Sequence, residues 1–194
     1  MLILASTSQT RMKLLENAGV NFRALSPDID ESALQKKFST KSPRDLAQIL
    51  ADAKALSLSL KRYDDLIIGA DQTLECGGNI IHKAPNSQKA KEILRDLMGK
   101  KHCLNSSISC ALGGKIIWQY SDTAELTMRE FSQKFLEDYV TQAEADILSS
   151  VGSYKLEGLG IQLFKKIRGD YFTILGFPLI PFLEFIRSQK LLAS

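Results

Sequence analysis

Ser6, Ser8 and Arg11 stand in the spacing Ser-x-Ser-x-x-Arg, which gathers two hydroxyls and a guanidinium just ahead of a helical periodicity. Hydroxyls, free backbone N–H groups and a planar cation can hold a phosphate oxygen from several directions, each charge-assisted hydrogen bond contributing about 1.5–3 kcal/mol. The ordinary alternative is a serine capping a helix beside a solvated arginine. Asp71 is the second candidate. It follows the apolar run Leu66-Ile67-Ile68 and then Gly69-Ala70, which predicts a carboxylate at the C-terminal end of a strand, the usual site location in α/β folds. An acid there can bind a divalent cation, accept a proton from an attacking water, or both; it can equally cap a turn. Glu31, within Asp28-Ile29-Asp30-Glu31, offers a second carboxylate for a metal, or belongs to a solvated acidic loop.

Two lysines could meet an anion. Lys54 borders the apolar stripe of its helix and can extend along a groove, and Lys83 sits just before Ala84-Pro85, on a loop near Asp71 in sequence. Snorkelling to water is the usual fate of either. His82 and His102 have no local partner that suggests a ligand pair or a triad. Cys103 and Cys110 are seven apart, so on an uninterrupted strand they point to opposite faces. The stretch Gly152-Ser153-Tyr154-Lys155-Leu156-Glu157-Gly158-Leu159-Gly160 brackets an aromatic and a carboxylate with glycines, which allows backbone to approach a flat ligand or simply makes a turn-rich connection.

The elements that must carry these residues are legible from periodicity and caps. Leu2 to Ala5 reads as a strand, followed by a polar loop and a helix through Met12, Leu15 and Ala18 that Gly19 stops, so the loop feeds a helix N-terminus suited to an anion. Ser42 and Pro43 announce a second helix carrying Leu46, Ile49, Leu50, Ala53, Leu56 and Leu60. Gly77-Gly78 and Gly113-Gly114 each separate two strand-like runs and predict hairpins. Further helices begin at Ser87 and span Ser132 to Gln142, and Tyr171 to Leu183 reads as a strand followed by a buried helix. Strands and helices mix without strict alternation, which predicts an α/β fold with a mixed sheet. No repeat or linker divides residues 1–194, so one domain is expected.

Composition narrows the classes. The chain of 194 residues carries 25 Lys and Arg against 22 Asp and Glu; a surplus of three suits one anion site, not a nucleic-acid coat, and no basic stripe with interleaved aromatics is present. Three cysteines, with no CxxC or Cys/His spacing, point to a reducing compartment, and the start lacks a basic leader, so a cytoplasmic protein is expected. The uncharged run from Tyr171 to Leu183 is too short for a membrane span, which needs about 17–25 residues, and contains Pro178 and Pro181.

In colinear order the chain carries Ala5-Ser6-Thr7-Ser8-x-x-Arg11, Asp30-Glu31, Ala53-Lys54-Ala55, Gly69-Ala70-Asp71, Lys83, Gly99-x-x-His102, Tyr154-x-x-Glu157-Gly158-x-Gly160 and Gly169-Asp170-Tyr171-x-x-Ile174-x-Gly176-x-Pro178. The series resembles the Maf-like nucleoside triphosphate pyrophosphatases over nearly its whole length. The resemblance implies an elongated mixed β-sheet flanked by helices, folded into two lobes around a central cleft in the Maf/ITPase-like manner, and often a homodimer. It implies hydrolysis of a nucleoside triphosphate between its α and β phosphates with a divalent cation, Mg²⁺ or Mn²⁺. Carried over by motif, Ser8, Arg11, Lys54 and Lys83 would hold phosphates, Glu31 would assist the metal, and Asp71 would be general base or metal ligand. A nucleotide-binding regulator of cell division, with incidental turnover, is the alternative.

The chain departs from the family pattern at several positions. Gln9-Thr10 stands where Pro-Arg is usual, and Ala84 follows Lys83 where proline is common. Gln72 and Glu157, expected at the substrate, differ from the Thr and Gln of the branch acting on thymidine and uridine triphosphates and resemble the branch acting on 7-methylguanosine triphosphate. A carboxylate at Glu157 accepts two hydrogen bonds from a guanine edge and would repel the carbonyls of thymine or uracil.

Overall fold

Alternation along two neighbouring strands sets the centre of the molecule. In the computed structural model, Leu2, Leu4, Leu66, Ile68 and Ala70 enter one core with Leu14, Leu15, Phe177 and Phe182, while Ile3, Ala5 and Ile67 enter another with Ala55 and Leu58; period-two geometry divides them between the two faces of one sheet. The structure describes residues 1–192, including every side chain there except those of Glu144 and Ala145, so the last two positions of the expected 1–194 domain lie outside it.

Among the described residues the order is β1 (Leu2–Ala5), α1 (Gln9–Asn17), β2 (Arg23–Leu25), α2 (Glu31–Lys37), α3 (Pro43–Ser59), β3 (Leu66–Cys76), β4 (Asn79–Ile81), α4 (Ser87–Leu97), β5 (Lys101–Leu112), β6 (Lys115–Met128), α5 (Gln133–Gln142), α6 (Glu144–Ile147), β7 (Phe164–Arg168), α7 (Tyr171–Ile174) and α8 (Leu179–Ser188). The strands form one sheet in the order β2-β1-β3-β5-β6-β7, with β4 paired to β3. β1 runs parallel to β2 and β3, and every other pairing is antiparallel, so the sheet is mixed. Ser42 caps α3 as the sequence predicts, Ser8 takes the capping role that is its ordinary alternative, and Ser132 caps α5 from just outside it, each accepting from backbone N–H groups of its helix. Both Gly-Gly pairs turn hairpins, with all four φ angles positive.

The sheet is long enough to carry two lobes. At the β1 end, α1 and α8 cover one face and α3 the other. At the far end, Leu74, Leu104, Leu126 and Met128 meet Leu94, Leu97, Leu136 and Tyr139 from α4 and α5. The lobes join where β1 stops: its pairing with β3 ends at Leu4 and Ile68, whereas β3 continues against β5 from Ile67 to Glu75. Losing a neighbour on one side only, β3 forms the floor of a cleft at that point.

Two expectations change. Asp71 is not at the end of a strand; the polar residues Asp71-Gln72-Thr73 interrupt the apolar run without interrupting the ladder, because β5 continues to pair with them. Asp71 lies instead just beyond the last residue of β3 that pairs with β1. The segment from Tyr171 is a helical turn, not a strand, because the Asp170 carboxylate accepts from Thr173 N at 3.0 Å and caps it. The last strand, β7, precedes it. Among the described residues no helix is long and apolar enough to cross a membrane.

Gly69 explains how α3 comes so close to β3. A Cβ there would collide with Ala51 O and lie 2.6 Å from Ala55 N, so only glycine lets the helix backbone rest on the strand, one turn from Lys54. Gly69→Ala is therefore expected to lower stability by about 1–3 kcal/mol or more, as overpacking does; urea-denaturation midpoints measure it, and an unchanged midpoint would mean that the helix shifts freely.

Candidate functional site

The eight residues singled out from sequence, Ser8, Arg11, Glu31, Lys54, Asp71, Gln72, Lys83 and Glu157, all line one cleft of about 1060 Å³. That volume lies near the upper end of small-molecule sites, roughly 300–1000 Å³. The polar loop after β1 supplies one wall. Ser8 caps α1, its Oγ accepting from Arg11 N at 3.4 Å, and Ser6 Oγ accepts from Ser8 N at 3.1 Å in the turn before it, while the helix N-terminus opens into the cleft.

Arg11 is fixed by backbone. Its Nε donates to Gly176 O and its Nη1 to Ala70 O, both at 2.9 Å. Among the described residues no hydrogen bond engages Nη2, which leaves donors for an anion. Burial lowers the Arg11 pKa, opposed by the charges of Asp71 and Glu31.

The carboxylates lie on the other side. Period two places Asp71 on the face of β3 that carries Ile67 and Gly69, against α3. There Lys54, 6% exposed, puts Nζ 2.6 Å from Asp71 Oδ1 and 3.1 Å from Glu31 Oε1. One ammonium thus bridges both acids. Glu31 is the first residue of α2, not part of an irregular acidic loop, because Asp30 caps that helix. Asp71 is 7% exposed, and burial raises its pKa above the usual carboxylate value; Lys54 and Arg11 oppose that rise and Glu31 adds to it. Lys83 approaches from the exposed loop after β4, its pKa lowered by withdrawal from solvent and then by Arg11 and Lys54.

The glycine-bracketed segment forms the far wall. Glu157 is exposed there, while Lys155 is tied to Asp146 by an ion pair of 2.6 Å, and all three residues line the cleft. Tyr154 anchors the segment: its hydroxyl is 2.8 Å from His102 Nε2 in the buried core. Burial pushes the His102 pKa down to about 4, so the ring is neutral near pH 7 and packs without a counter-charge. Sequence reasoning did not single out Lys155 as a site residue, although it lies two positions before Glu157. Asp146 and the His102–Tyr154 contact carry no sequence signal, since their partners are nine and 52 residues away.

Chemically, the cleft offers anion donors at Arg11, Lys83 and the α1 N-terminus, and a buried carboxylate poised beside a cation and a second carboxylate.

The model of the Maf-like protein family matches residues 1–189. The 7-methyl-GTP pyrophosphatase of Brucella abortus is 46% identical over 191 residues, covering 97% of this chain and 96% of its own. A nucleoside triphosphate pyrophosphatase of Bradyrhizobium diazoefficiens is also 46% identical, over 192 residues, covering 99% of this chain and 95% of its own. Matches that run from end to end on both sides, over a chain whose motif residues meet in one cleft, lead to one conclusion: the chain belongs to the Maf-like protein family.

Proposed function

We propose that the protein hydrolyses nucleoside triphosphates between the α and β phosphates, releasing monophosphate and pyrophosphate, and that it favours guanine bases, including 7-methylguanine. The observation that carries this reading is the Lys54 bridge between Asp71 and Glu31, opposite Arg11 in a cleft of nucleotide size. Arg11, through its uncommitted Nη2, and Lys83 bind phosphate oxygens together with Ser8 and the N–H groups that open α1. Neutralised there, the pyrophosphate becomes a better leaving group. Asp71 takes the proton from the attacking water; its raised pKa makes it a stronger base than an exposed carboxylate, and Lys54 favours its ionised form.

The donor set fits a divalent cation brought in with the substrate. Among the described residues no group of three or more His, Cys, Asp or Glu side chains is arranged to hold a metal, but magnesium commonly takes one or two carboxylates plus phosphates and water. Asp71 and Glu31 are two acids close enough to share one ammonium, so they are the residues that would hold it. When bound, such a cation neutralises charge on phosphate oxygens.

The base lies against the Tyr154–Glu157 wall. Glu157 accepts from the N–H groups of a guanine edge, and Lys155 adds a donor beside it for the ring carbonyl; a 7-methylated guanine is cationic, which favours Glu157 further. The two relatives compared bear different names at equal identity, so the preference rests on this chemistry. A panel of canonical and modified triphosphates, assayed with Mg²⁺ or Mn²⁺ for pyrophosphate, tests it. Guanine and 7-methylguanine substrates should lead, and Glu157→Gln should cut their advantage over uridine triphosphate about 10–100-fold. Preference of the unaltered enzyme for thymidine or uridine triphosphate would refute it.

A further inference from the structure

Gln72 follows Asp71, so on a strand its side chain points to the opposite face, away from α3 and towards α7. There it begins a row. Gln72 on β3, Ser106 on β5 and Asp122 on β6 are direct cross-strand partners, and all three side chains reach Thr173 of α7, which is fully buried. Gln72 Nε2 donates to Ser106 Oγ at 2.9 Å, to Thr173 O at 3.1 Å and to Ile174 O at 3.0 Å. Ser106 Oγ donates to Thr173 O at 2.7 Å, and Thr173 Oγ1 donates to Asp122 Oδ2 at 2.8 Å. Two main-chain carbonyls face the end of Gln72, which fixes its amide orientation, since only the NH₂ end can meet them.

The row leads to Arg11. Gly176 N donates to the same Thr173 carbonyl at 3.1 Å, and Gly176 O receives Arg11 Nε at 2.9 Å. Gly176 has φ +87, a left-handed turn that points its carbonyl back at the arginine at little cost only because it is glycine. Any Cβ there would lie 3.4 Å from the Gln72 amide and 3.6 Å from Arg11 Nη2, so the Gln72 amide and the guanidinium both border Gly176.

We propose that the row Gln72–Ser106–Asp122 is a strut that holds α7 and thereby aims the Arg11 guanidinium, making Gln72, Ser106 and Asp122 positioning residues. The proposal rests on the phosphate-binding role given to Arg11 above. It adds a role to Gln72, which also lines the cleft: its amide nitrogen is committed to Ser106 and to the two α7 carbonyls, and through them its effect on catalysis passes to Gly176.

Gln72→Met keeps the length of the side chain and removes both donors; Ser106→Ala and Asp122→Ala remove the other two members. Asp122→Asn keeps an acceptor for Thr173 Oγ1 and serves as the conservative rescue. Hydrogen exchange at Arg11 Nε–H, followed by NMR on the full chain, reads the strut without requiring turnover. Gln72→Met is expected to speed that exchange by about 10-fold, the upper scale of one lost neutral hydrogen bond, with Asp122→Ala doing the same and Asp122→Asn near the unaltered protein. In kinetics, Asp122→Ala should lower kcat/KM by one common factor for guanosine, adenosine and uridine triphosphates, and should add little to Arg11→Lys. Unchanged exchange at Arg11, or an Asp122→Ala variant that reorders the three bases, overturns the proposal. Should Ser106→Ala be the better-folded variant, the same exchange and base comparisons on it decide the matter. A protein inactive on every triphosphate would defeat the proposed activity, while the exchange measurement would still judge the strut.

Discussion

Asp71→Asn is expected to lower kcat for pyrophosphate release by about 10²–10⁴-fold, the usual contribution of a positioned general base. The amide has the shape of the carboxylate and can still accept from Lys54 Nζ, so the cleft should keep its form. What disappears is the group able to take a proton from water. Burial raises the pKa of Asp71, so in the unaltered enzyme the acid limb of kcat/KM should lie above the range of an exposed carboxylate. Activity falls as pH drops through that value, because the protonated acid cannot act as base. In Asp71→Asn that limb should vanish along with most of the rate. Steady-state kinetics across pH, with a melting curve to confirm folding, measures both; turnover at the unaltered rate would remove Asp71 from the chemistry.

The second large effect concerns stability. Lys54→Met retains the apolar stem and deletes the ammonium, leaving Asp71 buried beside Glu31 with Arg11 and Lys83 as nearby cations. The Lys54 and Asp71 side chains are 8% and 10% exposed, so this is a buried pair, and removing one member of such a pair typically costs about 3–5 kcal/mol. Its pH dependence has a definite sign. A carboxyl whose folded pKa exceeds its unfolded value, near 3.9, keeps its full stability below that unfolded value and loses it as pH rises through the folded one. Removing Lys54 raises the folded value further. The deficit of Lys54→Met should therefore be greatest near neutrality and above, and should shrink towards about pH 4. Urea denaturation over that interval measures it, and a deficit independent of pH would mean that Lys54 contributes by packing alone.

Local signals made much of this molecule legible from sequence. Ser8, Ser42 and Ser132 cap helices because a short side-chain oxygen meets a free N–H within three residues. The Gly-Gly hairpins are readable for the same local reason. Asp71 was legible as a site residue but not in its setting: a polar triplet looks like the end of a strand, and only the distant partner β5 keeps it in the ladder. Tyr171 onwards looked extended because aromatic and apolar residues favour strands, whereas the cap from Asp170 decided for a helical turn. The site residues came from colinear motifs; their convergence depends on where β1 ends, which no local signal records. The strut was hidden because Gln72, Ser106, Asp122 and Thr173 become neighbours only through sheet register.

Hydrolysis in heavy-oxygen water, with mass spectrometry of both products, tests the central claim most directly. If water oriented by Asp71 attacks the α phosphorus of a triphosphate held by Arg11 and Lys83, the label enters the nucleoside monophosphate and the pyrophosphate leaves unlabelled. Label in the pyrophosphate, release of nucleoside diphosphate with orthophosphate, or tight nucleotide binding without any release would contradict it.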